Sequence, residues 1–170
     1  MWVSMPITKP RAKSGWQGTE QEKGQTLVEF AFVVILFLTV LFAIVEFGRA
    51  LWTWNTIVQA TRAGARFAVV ETPTSTDTQV KNFVVYYNTA GTGAPVLPGL
   101  TTSNVTVNYY KIDPTTGNYV APPGGNKFMA DLIQVSITGY TFNFLVPIFG
   151  SAITLPAFTT TLSLEGLGAT

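Results

Sequence analysis

Apolar residues crowd into one block near the start of the chain. From Phe30 to Val45 sixteen uncharged, mainly apolar residues follow one another, bracketed by Glu29 and Glu46. As a helix rising about 1.5 Å per residue they cover roughly 24 Å, short of the ~30 Å hydrocarbon core of a bilayer. Leu27, Val28 and Phe47 bring the stretch to a spanning length, about residues 27–47. A core helix this apolar all round would need protein on every side, so a transmembrane span is the better reading. The helical signal continues past Glu46. Phe47, Leu51, Trp54, Val58, Ala65 and Ala68 recur at spacings of three, four and seven, with Asn55, Gln59, Arg62 and Arg66 largely off that stripe. No proline lies between Pro10 and Pro73. One helix over residues 25–70 follows, about 46 residues or roughly 69 Å, its first half suited to lipid and its second half amphipathic.

Thr72, Pro73 and the Ser/Thr run after them end that helix. Asp77 can cap a shorter one, in which Val80, Phe83, Val84 and Tyr87 share a face until Gly91 closes it. Residues 91–103 read as loop, and then the period changes to two. Val105, Val107 and Tyr109 alternate with polar residues, and the turn Asp113-Pro114-Thr115-Thr116-Gly117 leads to a short return strand at Tyr119 and Val120. Ile133, Val135 and Ile137 mark a clear strand, and Phe142, Phe144 and Val146 suggest another. Phe158, Thr160, Leu162 and Leu164 share a face of a last strand over Ala157–Glu165. The predicted fold class is α+β: a long N-terminal helix, transmembrane and then amphipathic, packed on a small antiparallel β-sheet domain with one short helix. The chain divides into a leader (1–24), the long helix (25–70) and an extracytoplasmic α+β domain (72–170).

Composition narrows the function more by exclusion than by suggestion. Only 11% of the residues are charged, about half the usual share, and the net charge is +1. No basic field therefore points to nucleic acid, and the partner that the apolar block itself implies is a lipid bilayer. Cysteine and histidine are both absent, which removes thiolate and imidazole metal ligands and the commonest catalytic base. The carboxylates Glu71, Asp77, Asp113, Asp131 and Glu165 are scattered singly. No cofactor, no metal and no enzymatic activity are expected.

The stretch Lys23-Gly24-Gln25-Thr26-Leu27-Val28-Glu29-Phe30 carries the chemistry that remains. The leader before it holds Lys9, Arg11, Lys13 and Lys23 against Glu20 and Glu22, a net +2 that favours the cytoplasmic side. Gly24 has no side chain, so a protease at the membrane face could receive the backbone closely. Glu29 lies one turn inside a helix that starts at Gln25. Its carboxylate meets a desolvation cost of about 2.5–3.5 kcal/mol at mid-membrane, less near the interface, part of which a helix N-terminus offsets.

These residues resemble the start of a type IV-like prepilin, and more specifically that of the TadE-like pseudopilins of tight-adherence (Flp-type) pilus systems. The family's Gly-Gln-x-x-Val-Glu-Phe-Ala start is found at Gly24–Ala31, with Gln25, Glu29 and Phe30 in place. Its Glu-Phe-Gly-Arg-Ala follows at Glu46, Phe47, Gly48, Arg49 and Ala50. The Arg-x-Gly-Ala-Arg close is Arg62, Gly64 and Arg66 with the alanines between. The resemblance covers about residues 23–70 and is specific in combination, each piece alone being weak. It implies a pilin-like fold, cleavage after Gly24 by a prepilin peptidase, and Glu29 as the fifth residue of the mature chain, setting register against a neighbour's N-terminus. The implied partners are other pilin or pseudopilin subunits and the inner-membrane assembly platform. The implied location is the inner (cytoplasmic) membrane, single-pass, with the N-terminus cytoplasmic and the C-terminal domain outside, and an extracellular pilus as a further destination. Where the family often has proline early in the span and glycine near its end, this chain has Ile35 and Ala43, which predicts a helix without a built-in break.

Plainer readings stand beside these. Glu29 can be an interfacial charge at a helix start, although the glycine at the matching distance favours an assembly role. Glu46 reads as a membrane-edge residue or as a partner of Arg49. Arg62 and Arg66 read as a solvated face or as partners of sheet carboxylates, and Trp52 and Trp54 as an interfacial aromatic belt. The alternative function is a single-pass anchored extracytoplasmic binding domain that never polymerises, which would need neither Gly24 nor Glu29.

Overall fold

The computed structural model describes residues 18–71 and 77–164. The leader up to residue 17, the Thr72-Pro73 stop and the end of the last strand at Glu165 lie outside the described residues. The chain forms two compact units that divide inside the first helix, between Ala43 and Ile44. The first helix, α1, runs Gly18–Glu71 and passes through Ile35 and Ala43 without interruption. It begins earlier than the expected Gln25. Glu20, Gln21, Glu22 and Lys23 are good helix formers, and Gly24 inside a helix costs only about 1 kcal/mol.

In the first unit the helix stands bare. Twelve large apolar residues between Leu27 and Phe42 are exposed, Phe30, Phe32 and Phe37 among them. At about 1.5–3 kcal/mol for each side chain removed from water, leaving them all wet would cost on the order of 20 kcal/mol. That exceeds the net stability of most domains, so an apolar medium must cover this stretch. The helix has one segment long and apolar enough to cross a membrane, which is compatible with single-pass anchoring.

In the second unit the rest of α1 packs against α2 (Asp77–Tyr86) and a four-stranded antiparallel sheet. The strands are β1 (Val105–Ile112), β2 (Tyr119–Val120), β3 (Leu132–Ile137) and β6 (Phe158–Ser163), in the order β2-β1-β3-β6. Register puts the predicted inward residues in rows: Val105, Ile137 and Phe158; Val107, Val135 and Thr160; Tyr109, Ile133 and Leu162. Two short strands, β4 (Thr141–Asn143) and β5 (Ala152–Thr154), pair separately as a hairpin. The strand expected through Phe144 and Val146 therefore stops at Asn143. The backbone N–H groups of Leu145 and Val146 bond to a helix side chain instead of a strand, and Pro147 follows.

The core stripe of α1 differs from the predicted one. Buried positions are Glu46, Thr53, Ile57, Ala60, Thr61, Gly64, Ala65 and Ala68, with Ala50 packed beside them. Phe47, Leu51 and Trp54 are exposed, although the Trp54 ring still meets Phe158 edge-on at 4.6 Å. Small residues predominate on this face, and at Gly64 the tight neighbour is α2. A Cβ on Gly64 would stand 2.1 Å from Cγ2 of Val84. One step along, Phe67 and Phe83 stack at 4.4 Å. In α2 the buried residues are Val80, Val84 and Val85, whereas Tyr87 lies beyond the helix end with φ 53° and is exposed. Asp77 sits in the first turn, where its carboxylate accepts the Tyr109 hydroxyl at 3.0 Å, tying α2 to β1. Burial, together with that carboxylate, pushes the Tyr109 phenol above its ordinary range.

Asp131 joins β1 to β3 at the far end of the sheet. It accepts the Ile112 N–H at 2.8 Å and pairs with Lys111 at 3.3 Å. The Ile112 N–H, then Lys111, hold its carboxyl below the usual carboxylate range. A lowered folded value means the contribution is complete above the unfolded pKa of about 4 and is lost as pH falls through the folded value. Near-UV circular dichroism should show a weakening below about pH 4 that is smaller in Asp131→Asn. Gly64→Ala should destabilise the domain by up to about 2 kcal/mol, because overpacking costs about 1–3 kcal/mol against a helix-propensity gain of about 1. Denaturant unfolding should show a smaller loss for Gly64→Ala in a Val84→Ala background; equal losses would contradict the close approach.

Candidate functional site

The motif residues fall into three places. The first is the turn around Gly24, Gln25 and Glu29, which belongs to the first unit. Gln25 and Glu29 lie four apart on one face, and the Gln25 Nε2 donates to Glu29 Oε1 at 3.1 Å. Both are exposed, as is Phe30, and a Cβ on Gly24 would meet nothing within 4 Å. The carboxylate is open to an approaching protein, while Gly24 and Gln25 lie within the helix.

The second place centres on Glu46, the first charged residue after the apolar block. It is 4% exposed. Its Oε1 accepts the N–H groups of Leu145 and of Val146, the latter at 3.0 Å, and its Oε2 pairs with Arg49 at 2.6 Å. The i,i+3 spacing on α1 puts Arg49 beside Glu46, and the guanidinium also lies 5.2 Å from the centre of the Phe142 ring. The carboxylate thus gains one charged partner and two backbone donors, enough to offset its burial. Phe47, between these two, points the other way and is 65% exposed. A Cβ on Gly48 would meet nothing within 4 Å. A cavity of about 290 Å³ adjoins the pair, lined by Arg49, Trp52, Thr53, Pro98, Tyr140, Thr141, Phe142 and Asn143. Tyr140 closes one side by donating its hydroxyl to the Pro98 carbonyl at 3.1 Å.

The third place is Gly64, buried at the crossing with Val84, flanked by Arg62 and Arg66. Both arginines are exposed, and neither forms an ion pair with a described residue.

The TadE-like protein family model matches residues 24–66, about a quarter of the chain. Over this segment the chain is similar to TadE-like proteins. No curated protein and no solved structure matches it. The TadE-like match associates the protein with Tad pilus systems and covers all three places just described. In the second and third, motif residues do structural work within the second unit. Glu46 and Arg49 hold a loop, and Gly64 lets α2 approach. Sequence reasoning missed Leu145, Val146 and Phe142 as their partners. The available signal was a carboxylate that closes an apolar block and must find donors, but nothing local says which distant backbone supplies them.

Glu46→Ala leaves two backbone donors and one guanidinium without their acceptor, whereas Arg49→Ala leaves the carboxylate with both N–H donors. Thermal unfolding followed by tryptophan fluorescence should therefore show Glu46→Ala lowering Tm by several degrees and Arg49→Ala by less. The reverse order would contradict the assignment of the loop amides as the main partners.

Proposed function

We propose that this protein is a TadE-like pseudopilin, an assembly subunit of a Tad-type pilus that acts through its N-terminal helix rather than through an active site. In this reading a prepilin peptidase cuts after Gly24, and Gln25 becomes the N-terminus of a mature chain in which Glu29 is the fifth residue. The apolar stretch then packs beside those of other pilin or pseudopilin subunits at the inner-membrane assembly platform. Glu29 fixes axial register by pairing with a neighbour's new amino group, and the α+β domain lies outside the membrane.

The observation that supports the reading is the exposure of Gly24, Gln25 and Glu29 where the apolar stretch of α1 begins, within a helix that starts at Gly18. A carboxylate entering lipid needs a partner, and its i,i+4 contact with the neutral Gln25 amide does not neutralise it. An amino group from another subunit would. A binding domain that merely sits on an anchor would give this charge no task, so the assembly reading is preferred to it.

Intact mass of the membrane-extracted protein from a host with its prepilin peptidase should show loss of residues 1–24. A chain still beginning at Met1 would contradict the processing step. Glu29→Ala should insert in the membrane at normal levels yet fail to enter the assembly; normal incorporation of that variant would contradict the register role.

A further inference from the structure

The connection between β4 and β5, Phe144–Ser151, is an exposed loop rich in apolar residues. Leu145 is 69% and Ile148 67% exposed, and Ile153 on β5 is exposed beside them. No charged residue occurs anywhere from Leu132 to Leu164. The loop is not loosely placed, since Glu46 holds its Leu145 and Val146 amides. Glu46 is also where the apolar block of α1 ends, and the neighbouring Ile44, Val45 and Phe47 are themselves exposed.

The backbone of this tip is prepared for a medium poor in water. The Phe144 N–H bonds to the Ser151 carbonyl at 3.2 Å, Phe149 to Val146 at 3.2 Å and Gly150 to Pro147 at 3.1 Å. Pro147 has no N–H to satisfy. Loops rarely enter an apolar layer because unpaired backbone groups forbid it, and here most of the N–H groups are already paired. The charge that anchors the loop is compensated by Arg49. Further along α1, Arg49 and Trp52 are residue types suited to the headgroup level.

We infer that the β4–β5 tip is a second lipid contact, with Leu145 and Ile148 entering the interfacial layer of the same membrane that α1 enters. The two contacts, joined through Glu46, would fix the standing of the domain on the bilayer instead of leaving it to swivel on one helix. Lipid is favoured over a protein groove because the residue that holds the loop, Glu46, is the one at which the spanning block ends. The inference rests on membrane anchoring but not on pilus assembly.

The chain has no cysteine, so single labels can be placed on the full-length protein in phospholipid vesicles at high lipid-to-protein ratio. Ile148→Cys carrying an environment-sensitive fluorophore should emit to the blue and lose intensity when the lipids carry nitroxides at shallow acyl positions. Leu36→Cys, in the apolar block, should be quenched by deep nitroxides. Thr115→Cys, in the β1–β2 turn at the other end of β1, should be quenched by neither. A water-like, unquenched Ile148 label beside a quenched Leu36 label would overturn the inference and leave the anchor intact. A blue-shifted Ile148 label insensitive to lipid nitroxides would also overturn it, by showing that another subunit covers the tip. Failure of quenching at both positions would contradict the anchor, and the inference with it.

Discussion

A carboxylate at the end of an apolar block is costly wherever it goes. If it enters lipid it must be neutralised or paired, and if it is buried in protein it must be given donors. Glu46 takes the second course, and much of the architecture of the second unit follows. Its partners are the Arg49 guanidinium on its own helix and two consecutive backbone amides far along the chain. Supplying those amides ends β4 after Asn143, since the same N–H groups cannot also serve a ladder. It also brings the guanidinium over Phe142, a core residue. One side chain thereby joins α1 to the hairpin at the residue where the apolar block stops.

Beyond this junction the helix meets its domain through Ile57 and a run of small side chains. Ala60, Gly64, Ala65 and Ala68 allow close approach to α2 and β3, and the larger apolar residues, Phe47 and Leu51, are left outside. Such a helix has two working faces. One is shaped for its own domain, and the other is available to whatever surrounds the protein. The outward face carries the exposed apolar residues Phe47 and Leu51, a surface suited to an apolar medium.

The parts legible in the sequence were those written in short-range periodicity. Sixteen uncharged residues cannot hide, so the apolar helix was visible, and strict alternation at Val105, Val107 and Tyr109 and at Ile133, Val135 and Ile137 placed the central strands in the correct rows. The helix face was right at Val58, Ala65 and Ala68 and wrong at Phe47, Leu51 and Trp54, which are exposed. At Gly64 the close approach of the Val84 side chain leaves room only for glycine, while further back on the helix Phe47 and Leu51 face outward. The hairpin was half seen, since Phe142 alternates as expected but the long-range bond of Leu145 and Val146 to Glu46 has no local signature. Motif resemblance picked out Glu46, Arg49 and Gly64 without giving the reason for them. The reason is tertiary: a donor set and a close contact, each made with residues outside the motif.

Hydrogen–deuterium exchange of the full chain in detergent, resolved to single residues, tests the Glu46 junction most directly. Leu145 sits in an exposed loop, and its amide and that of Val146 would ordinarily exchange at nearly the free rate. If Glu46 holds them, both amides should be protected to an extent comparable with the paired amides of β3. Exchange at the rate of an unstructured loop, with β3 still protected, would contradict the account.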